Sequence, residues 1–308
     1  MALAETIFDV RRLPWDGIGT GVQVAPTSKD ALKLAGLDWT VESKPIYNDK
    51  GIRIPGYIAN TRDKDGSVLG IVTDRYKVVQ NSEAFAFTDE LLKSSTPVTY
   101  ETAGSLHGGK TIWLLAKMEG QKILGDDVDP YICFTNTHDG SGSVKICMTP
   151  VRVWCSNTLN LALHTAKRSW STKHIGDITY KMEEARQTLG MAQDYMKALD
   201  QEAQILANTK MDDSKLEELI DIMYPVNADS TERKIRNVDM LKTGLFKCYD
   251  MPDIAKFRGT AWGGINAVAD LVDHFQPARL TDTYRENNWG KIMVGHPLLD
   301  LMYKQVSA

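Results

Sequence analysis

The chain is poor in cysteine: four in 308 residues, with no CxxC pair and no histidine spacing that would complete a zinc site. That excludes a disulfide framework. Cys133, Cys147, Cys155 and Cys248 read as buried thiols, with Cys133 and Cys147 placed to face each other across a hairpin. No apolar run approaches the roughly eighteen residues of a membrane-spanning helix. The start, Met1 to Arg12, has no basic leader ahead of an apolar stretch, so a secreted protein is not expected. Charge of one sign is lacking too. Thirty-six Lys+Arg oppose forty Asp+Glu, a formal −4, so any claim of nucleic-acid binding must rest on local patches. No internal repeat is visible. What remains, 43% hydrophobic and 25% charged residues, is ordinary globular usage over a length that suits one or two domains.

Patterning divides the chain into an N-terminal arm (1–40), an α+β core domain (41–175) and a helical domain (176–308). In the arm, Ser28 to Ala35 predicts a short helix capped by Ser28 and stopped at Gly36. Strand-like runs surround Asp65-Gly66, which predicts a first hairpin. Asn81-Ser82-Glu83 opens an amphipathic helix carrying Ala84, Phe85, Thr88, Leu91 and Leu92. Strands resume at 98–100, 111–118, 131–135 and 144–148, where Val144, Ile146 and Met148 alternate with Lys145 and Cys147. Pro150 is expected to break that ladder, and Asn157-Thr158 to cap a helix through Ala166. The fold class is therefore α+β: antiparallel hairpins with packed helices, then a helical C-terminal half.

That half carries the most regular pattern in the chain. Ile178, Met182, Ala185, Leu189, Ala192, Met196, Leu199, Ala203 and Leu206 alternate at spacings of four and three, a seam suited to self-association through helix 178–206. Ser214 with Glu217 predicts a capping box for a helix that stops at Pro225. Further helices are expected over 231–249 and 259–274.

Several segments carry possible chemistry. Gly104 to Thr111 matches the phosphate-binding loop, with Lys110 and Thr111 as its cofactor-binding residues. The β-branched and aromatic residues that follow favour a hairpin loop instead. His138 and Asp139, in a polar connector rich in Ser and Gly, are either an acid–base or metal pair or simply turn residues. Asp270 and His274 lie four apart on one helical face, too few for a metal site. Cys155 with His164 as base lacks an orienting partner and oxyanion donors.

The most informative stretch runs from Gly140 to Lys181. It holds Lys145, Arg152, Lys167, Arg168, Lys173 and Lys181 against the single acid Asp177, whereas Met182 to Asp221 is strongly acidic. Basic residues interleaved with Trp154, Trp170 and Tyr180 suit a single-strand track, with cations for phosphates and aromatic faces for unstacked bases. A solvated charge run over core tryptophans is the plainer alternative.

Four segments in order carry a family resemblance: Gly70-Ile71-Val72-Thr73-Asp74-Arg75-Tyr76-Lys77-Val78-Val79-Gln80-Asn81; Ala103-Gly104-Ser105-Leu106 with Gly109; Arg152-Val153-Trp154-Cys155-Ser156-Asn157-Thr158; and Gly259-Thr260-Ala261-Trp262-Gly263 with Asn266-Ala267. Over roughly residues 40–300 the chain resembles the phage/plasmid-like protein family, a domain of unknown function. The resemblance implies a phage, prophage or plasmid origin and a cytoplasmic setting, and no established activity. At the level of fold alone the order of elements is similar to the single-strand annealing proteins of phages, which lay DNA in a basic groove.

The expectation is a non-enzymatic, oligomeric DNA-binding protein that prefers single strands. Arg152, Lys167, Arg168 and Lys173 would meet phosphates, and Trp154 or Trp170 would stack on bases. It would need no cofactor and no metal. The alternatives are a protein that captures a host factor through its helical half and an enzyme acting through Lys110 and Thr111 or through Cys155.

Overall fold

The computed structural model describes residues 19–25, 27–92, 99–152, 157–161, 163, 168–177, 188–274, 284, 289–290 and 295–307. Antiparallel strands fill the first half and helices most of the second. Strands β1 (Thr20–Gly21), β5 (Thr99–Leu106), β6 (Thr111–Lys117), β8 (Asp126–Thr137), β9 (Val144–Arg152) and β10 (Asn157–Thr158) lie side by side in that order. Strand β7 (Gln121–Ile123) adds to β8, and β11 (Ser169–Thr172) adds to β9, completing an eight-stranded sheet. A separate three-stranded sheet holds β2 (Val41–Tyr47), β3 (Arg53–Arg62) and β4 (Val68–Thr73), with the predicted hairpin turning at Gly66, φ +72°.

The eight-stranded sheet is apolar on both faces, which is why β6 reads as a continuous apolar run. Its inner face (Ile112, Leu114, Ile132, Phe134, Ile146, Met148) packs into the main core. Helix α1 (Ser28–Leu34) and helix α2 (Asn81–Leu92) add Ala31, Leu32, Ala84 and Phe85 to it. From the other half come α3 (Thr188–Asn208), α4 (Asp213–Met223), α5 (Glu232–Tyr249), α6 (Pro252–Ala255), α7 (Ala261–His274) and α8 (Pro297–Ser307). All contribute to the same core, so sheet and helices share one apolar interior. Burial of this kind stabilises by about 25 cal/mol per Å² of apolar surface removed from water.

At the centre lies α7, in which every residue from Ala261 to Leu271 is buried. A Cβ at Gly264 would stand 2.6 Å from both Met211 Sδ and Met302 Cε, and one at Gly263 would stand 2.3 Å from the Phe257 carbonyl oxygen. The glycine pair that weakens this helix on its own lets its neighbours approach.

The structure moves several sequence-based boundaries. The side chains of Thr27 and Asp212, not Ser28 and Ser214, cap α1 and α4, accepting from Asp30 N and Lys215 N. In front of α2, Glu83 Oε2 accepts from Gln80 N at 2.9 Å, so Gln80 takes the cap position and Asn81 is released for other work. Pro150 does not interrupt β9. It faces Pro130 of β8, and the two carbonyls turn outward to Leu159 N and Met118 N at 2.8 Å each. Neither proline is asked for an N–H there.

Nor does a helix follow Asn157. Asn157 and Thr158 pair with Arg152 and Val151, and Thr158 donates from N and Oγ1 to Asp273 Oδ2 at 2.5 and 2.8 Å. Leu159 and Leu161 continue into the core as irregular chain; Ala162 and residues 164–167 lie outside the described residues. The heptad seam turns inward. Met196, Leu199, Ala203 and Leu206 are buried in the chain's own core, so this part of the seam meets α7 and its neighbours, not a second copy. Ile178, Met182 and Ala185 lie outside the described residues, as do the side chains of Leu189 and Ala192.

Candidate nucleic-acid interface

The outer face of the eight-stranded sheet divides into two halves. Leu106, Trp113, Leu115, Tyr131, Cys133, Cys147 and Val151 form a second apolar cluster beneath Trp289, whose ring centroid is 4.0 Å from that of Trp113. Beside this covered half the face opens. Thr135 stands opposite Trp113 and Lys145, and Lys145 opposite Ser171. One row further on, Ser169 stands opposite Cys147. Lys173 continues the exposed odd positions of β11, and Thr111, half-buried, ends the β6 side opposite Thr137.

The open half is therefore a platform of hydroxyls with Lys145 and Lys173 rising from it, and Lys110 exposed at its end. None of these three lysines carries an ion pair among the described residues. Several lysines elsewhere are neutralised, Lys117 by Asp129, Lys122 by Asp127, Lys256 by Asp126, and Lys242 by both Glu217 and Asp221. A cation without a carboxylate partner is free to meet an outside anion.

The sequence-predicted site residues separate in the fold. Lys173 faces out. Arg168 and Trp170, on the even positions, face the other way: Arg168 is half-buried with Nη1 donating to the Met148 carbonyl at 3.0 Å, and Trp170 lies opposite Ile146 and packs against the main core. Trp154 and Lys167 lie outside the described residues, as do the side chain of Arg152 and the Cys155–His164 pair. Lys110 and Thr111 sit where a short 3-10 turn (His107–Gly109) joins β5 to β6. A strand follows the loop, so the helix N-terminus that cradles phosphate in the true motif is not there.

A second polar cluster, unforeseen in the sequence, joins the two sheets. His138 is fully buried, its Nε2 3.0 Å from Asn81 Oδ1 and its ring edge-on to Trp39 at 5.4 Å. Asn81 Nδ2 donates to the Leu37 and Trp39 carbonyls at 2.9 and 3.3 Å. Asn60 Nδ2 donates to the His138 carbonyl, and Asn136 Nδ2 to that of Val79. Gln80 clasps Val41 through both its N–H and its carbonyl at 2.9 Å each. Tyr76 donates to the Thr137 carbonyl and stacks on His174, whose Nδ1 lies 2.9 Å from the Lys77 carbonyl. Most of the Tyr76–Asn81 segment is thus bound to backbone on neighbouring elements.

Burial holds the His138 imidazole down to about 4, with His174 adding to the effect. Asp139, next in sequence, turns back to accept from Ser141 N and Oγ at 2.9 and 2.6 Å. The connector is a turn, and His138 is a structural residue of the joint. The signal available in the sequence was the run of amides and hydroxyls between apolar residues at 73–81.

The described cysteines, Cys133, Cys147 and Cys248, are buried thiols not joined in a disulfide. Among the described residues no group of three or more His, Cys, Asp or Glu could hold a metal ion. Asp270 and His274 approach only to 3.8 Å. No described helix is long and apolar enough to cross a membrane. No curated protein matches the chain, and no solved structure does. A family model does, over residues 68–290, which takes in the Tyr76–Asn81 segment, the open face and α7. On that match, over well more than half its length, the chain belongs to the family described as Domain of unknown function (DUF932).

Proposed function

We propose that this chain binds nucleic acid without catalysis, laying a single strand across the open half of the outer sheet face. The observation that carries the reading is the unpaired state of Lys145, Lys173 and Lys110 around Thr111, Thr135, Ser169 and Ser171. Ammonium groups neutralise phosphates, and hydroxyls donate to phosphate and sugar oxygens. The preference for single strands rests on Tyr47, exposed on the projecting hairpin with Arg53 directly across from it, a ring and a guanidinium on which an unstacked base can lie. The phage or plasmid setting drawn from the resemblance belongs to this proposal. With Met196, Leu199, Ala203 and Leu206 buried, self-association would not run through this part of the seam.

The test is fluorescence anisotropy of a labelled oligothymidylate at rising salt. Affinity is expected to fall linearly on a log–log plot. Lys145→Glu and Lys173→Glu are each expected to weaken binding about tenfold and to lower the salt slope by about one. Lys215→Glu, on α4 and paired with Glu218, is the control. Binding that ignores salt, or no binding, overturns the proposal.

A second reading has its own observation. The three-stranded sheet exposes Ile52, Ile54, Tyr57, Val68 and Ile71, a collection of apolar side chains that suits a protein partner and sits on the hairpins, not on the helical half.

A further inference from the structure

Cys133 of β8 and Cys147 of β9 are direct register partners in the covered half of the outer face. The prolines reveal what kind of pair they form. Pro130 and Pro150 face each other with carbonyls turned outward, so theirs is a pair without mutual hydrogen bonds. Pairs alternate along an antiparallel ladder. Tyr131 and Thr149 are hydrogen-bonded, Ile132 and Met148 are not, and Cys133 and Cys147 are again. Met148 N agrees, turning away to the Arg168 carbonyl at 2.8 Å. Cα atoms in a hydrogen-bonded pair stand about 5.5 Å apart, inside the span of a disulfide.

The two thiols are not equivalent. The Cys133 Sγ lies 3.9 Å from the Phe134 carbonyl oxygen, beside its register partner Cys147, and contact with the Cys133 thiol and the positive charges of Arg168 and Lys145 favour negative charge on Cys147. Together these hold the Cys147 thiol below its ordinary value, while burial and Cys147 itself push Cys133 up. Cys147 also borders the open half of the face, since Ser169 opposite it is exposed.

We propose that Cys133 and Cys147 form an oxidisable dithiol, which a hydroperoxide closes into a cross-strand disulfide. The Cys147 thiolate attacks the peroxide oxygen. The O–O bond breaks, an S–OH group forms, and the departing alkoxide takes a proton and leaves as alcohol or water. Cys133 gives up its proton and attacks the Cys147 sulfur. The S–S bond forms as the S–O bond breaks, and water leaves. Two thiols and one hydroperoxide become one disulfide, one alcohol or water, and one water. Cys248, in α5 within the main core, belongs to a different environment. The inference is independent of nucleic-acid binding.

The experiment treats the full native chain with hydrogen peroxide, quenches it with an alkylating agent in denaturant, and maps the peptides by mass spectrometry. A Cys133–Cys147 cross-linked peptide is expected, reversed by dithiothreitol, with Cys248 still alkylated as a free thiol. Lys145→Gln should slow closure at a pH below the thiol's own range by about threefold for each unit by which the Cys147 thiol rises, the lost thiolate being partly offset by its greater nucleophilicity. In a Cys133→Ser chain, the pH midpoint for Cys147 alkylation reports the same shift directly. If both thiols survive while Cys248 oxidises, or if Cys147 proceeds to sulfinic acid with Cys133 untouched, the proposal fails. Closure that occurs only in denaturant overturns it equally, because native pairing is then not its cause.

Discussion

The two sheets solve the burial problem differently. The eight-stranded sheet is covered on its inner face by helices and on half its outer face by Trp289, and it buries Trp113, Leu115, Phe134 and Ile146. The three-stranded sheet is bare over much of its length. From Ser43 to Tyr47 and from Arg53 to Tyr57 nearly every side chain is exposed, whichever way it points, with Ile52 61% and Tyr47 58% accessible. Its hold on the body comes from one end, through Asn60, Arg62, Gly70 and Val72. Arg62 donates to the Gly108 carbonyl at 2.5 Å and lies over the Trp39 ring at 5.0 Å. One sheet is held by area along its whole length; the other is held at one end only, by Val41 and Leu69 in the core, by the close fit of Gly70 and Val72 against Asp139 and Gly140, and by a small set of directed hydrogen bonds. Apolar contacts tolerate small displacements, whereas a buried amide left without its partner costs about 1–3 kcal/mol for each orphaned group.

The contrast can be broken most forcefully at Asn81. Asn81→Leu removes the donor to two backbone carbonyls and the partner of His138 Nε2 at once. It is expected to cost about 4 kcal/mol, read as a lower denaturant midpoint, and to loosen amide-exchange protection in β2–β4 before β5–β9.

A smaller effect comes from acid. The His138 imidazole sits near 4 in the folded chain against 6.5 unfolded, so the unfolded chain binds more protons between those values. Stability from this group is complete above pH 6.5 and drains away as pH falls toward 4, by up to about 3 kcal/mol. Asp273 works in the opposite sense: burial pushes its carboxyl up to about 7, so its contribution declines as pH rises from near 4. Comparing wild type with His138→Gln at pH 7.5 and pH 4.5 separates the two. The variant should lose the acid-side decline and keep the other. The smallest effect belongs to the bare sheet, where Ile71→Thr should shift stability by no more than about 0.5 kcal/mol in a thermal melt.

The α+β class, the hairpin at Gly66 and most helices were legible from the sequence because period and turn chemistry are local. Three things were not. Caps moved by one or two residues because Thr27 and Asp212, like the serines after them, are good caps, and only geometry chooses. The expectations at Pro150 and Asn157-Thr158 fail because Pro130, which faces Pro150, and Asp273, which accepts from Thr158, lie 20 and 115 residues away. The seam at 196–206 looked available for a second copy because periodicity reports that a stripe is buried, not by which chain. For the candidate site, the local excess of basic residues was visible, but not its division between two faces. Ser169 to Lys173 alternate in and out, so Arg168 and Lys173 diverge although both are basic and close in sequence.

The glycines of α7 carry a last consequence. A helix with Gly263 and Gly264 side by side has little reason to form in isolation. It becomes rigid only when strands and helices close round it like staves round a spindle. The helical portion is therefore no freestanding module to be cut out and transplanted. Its axis draws its order from Met211, Met302 and the β10 crossing, and they from it.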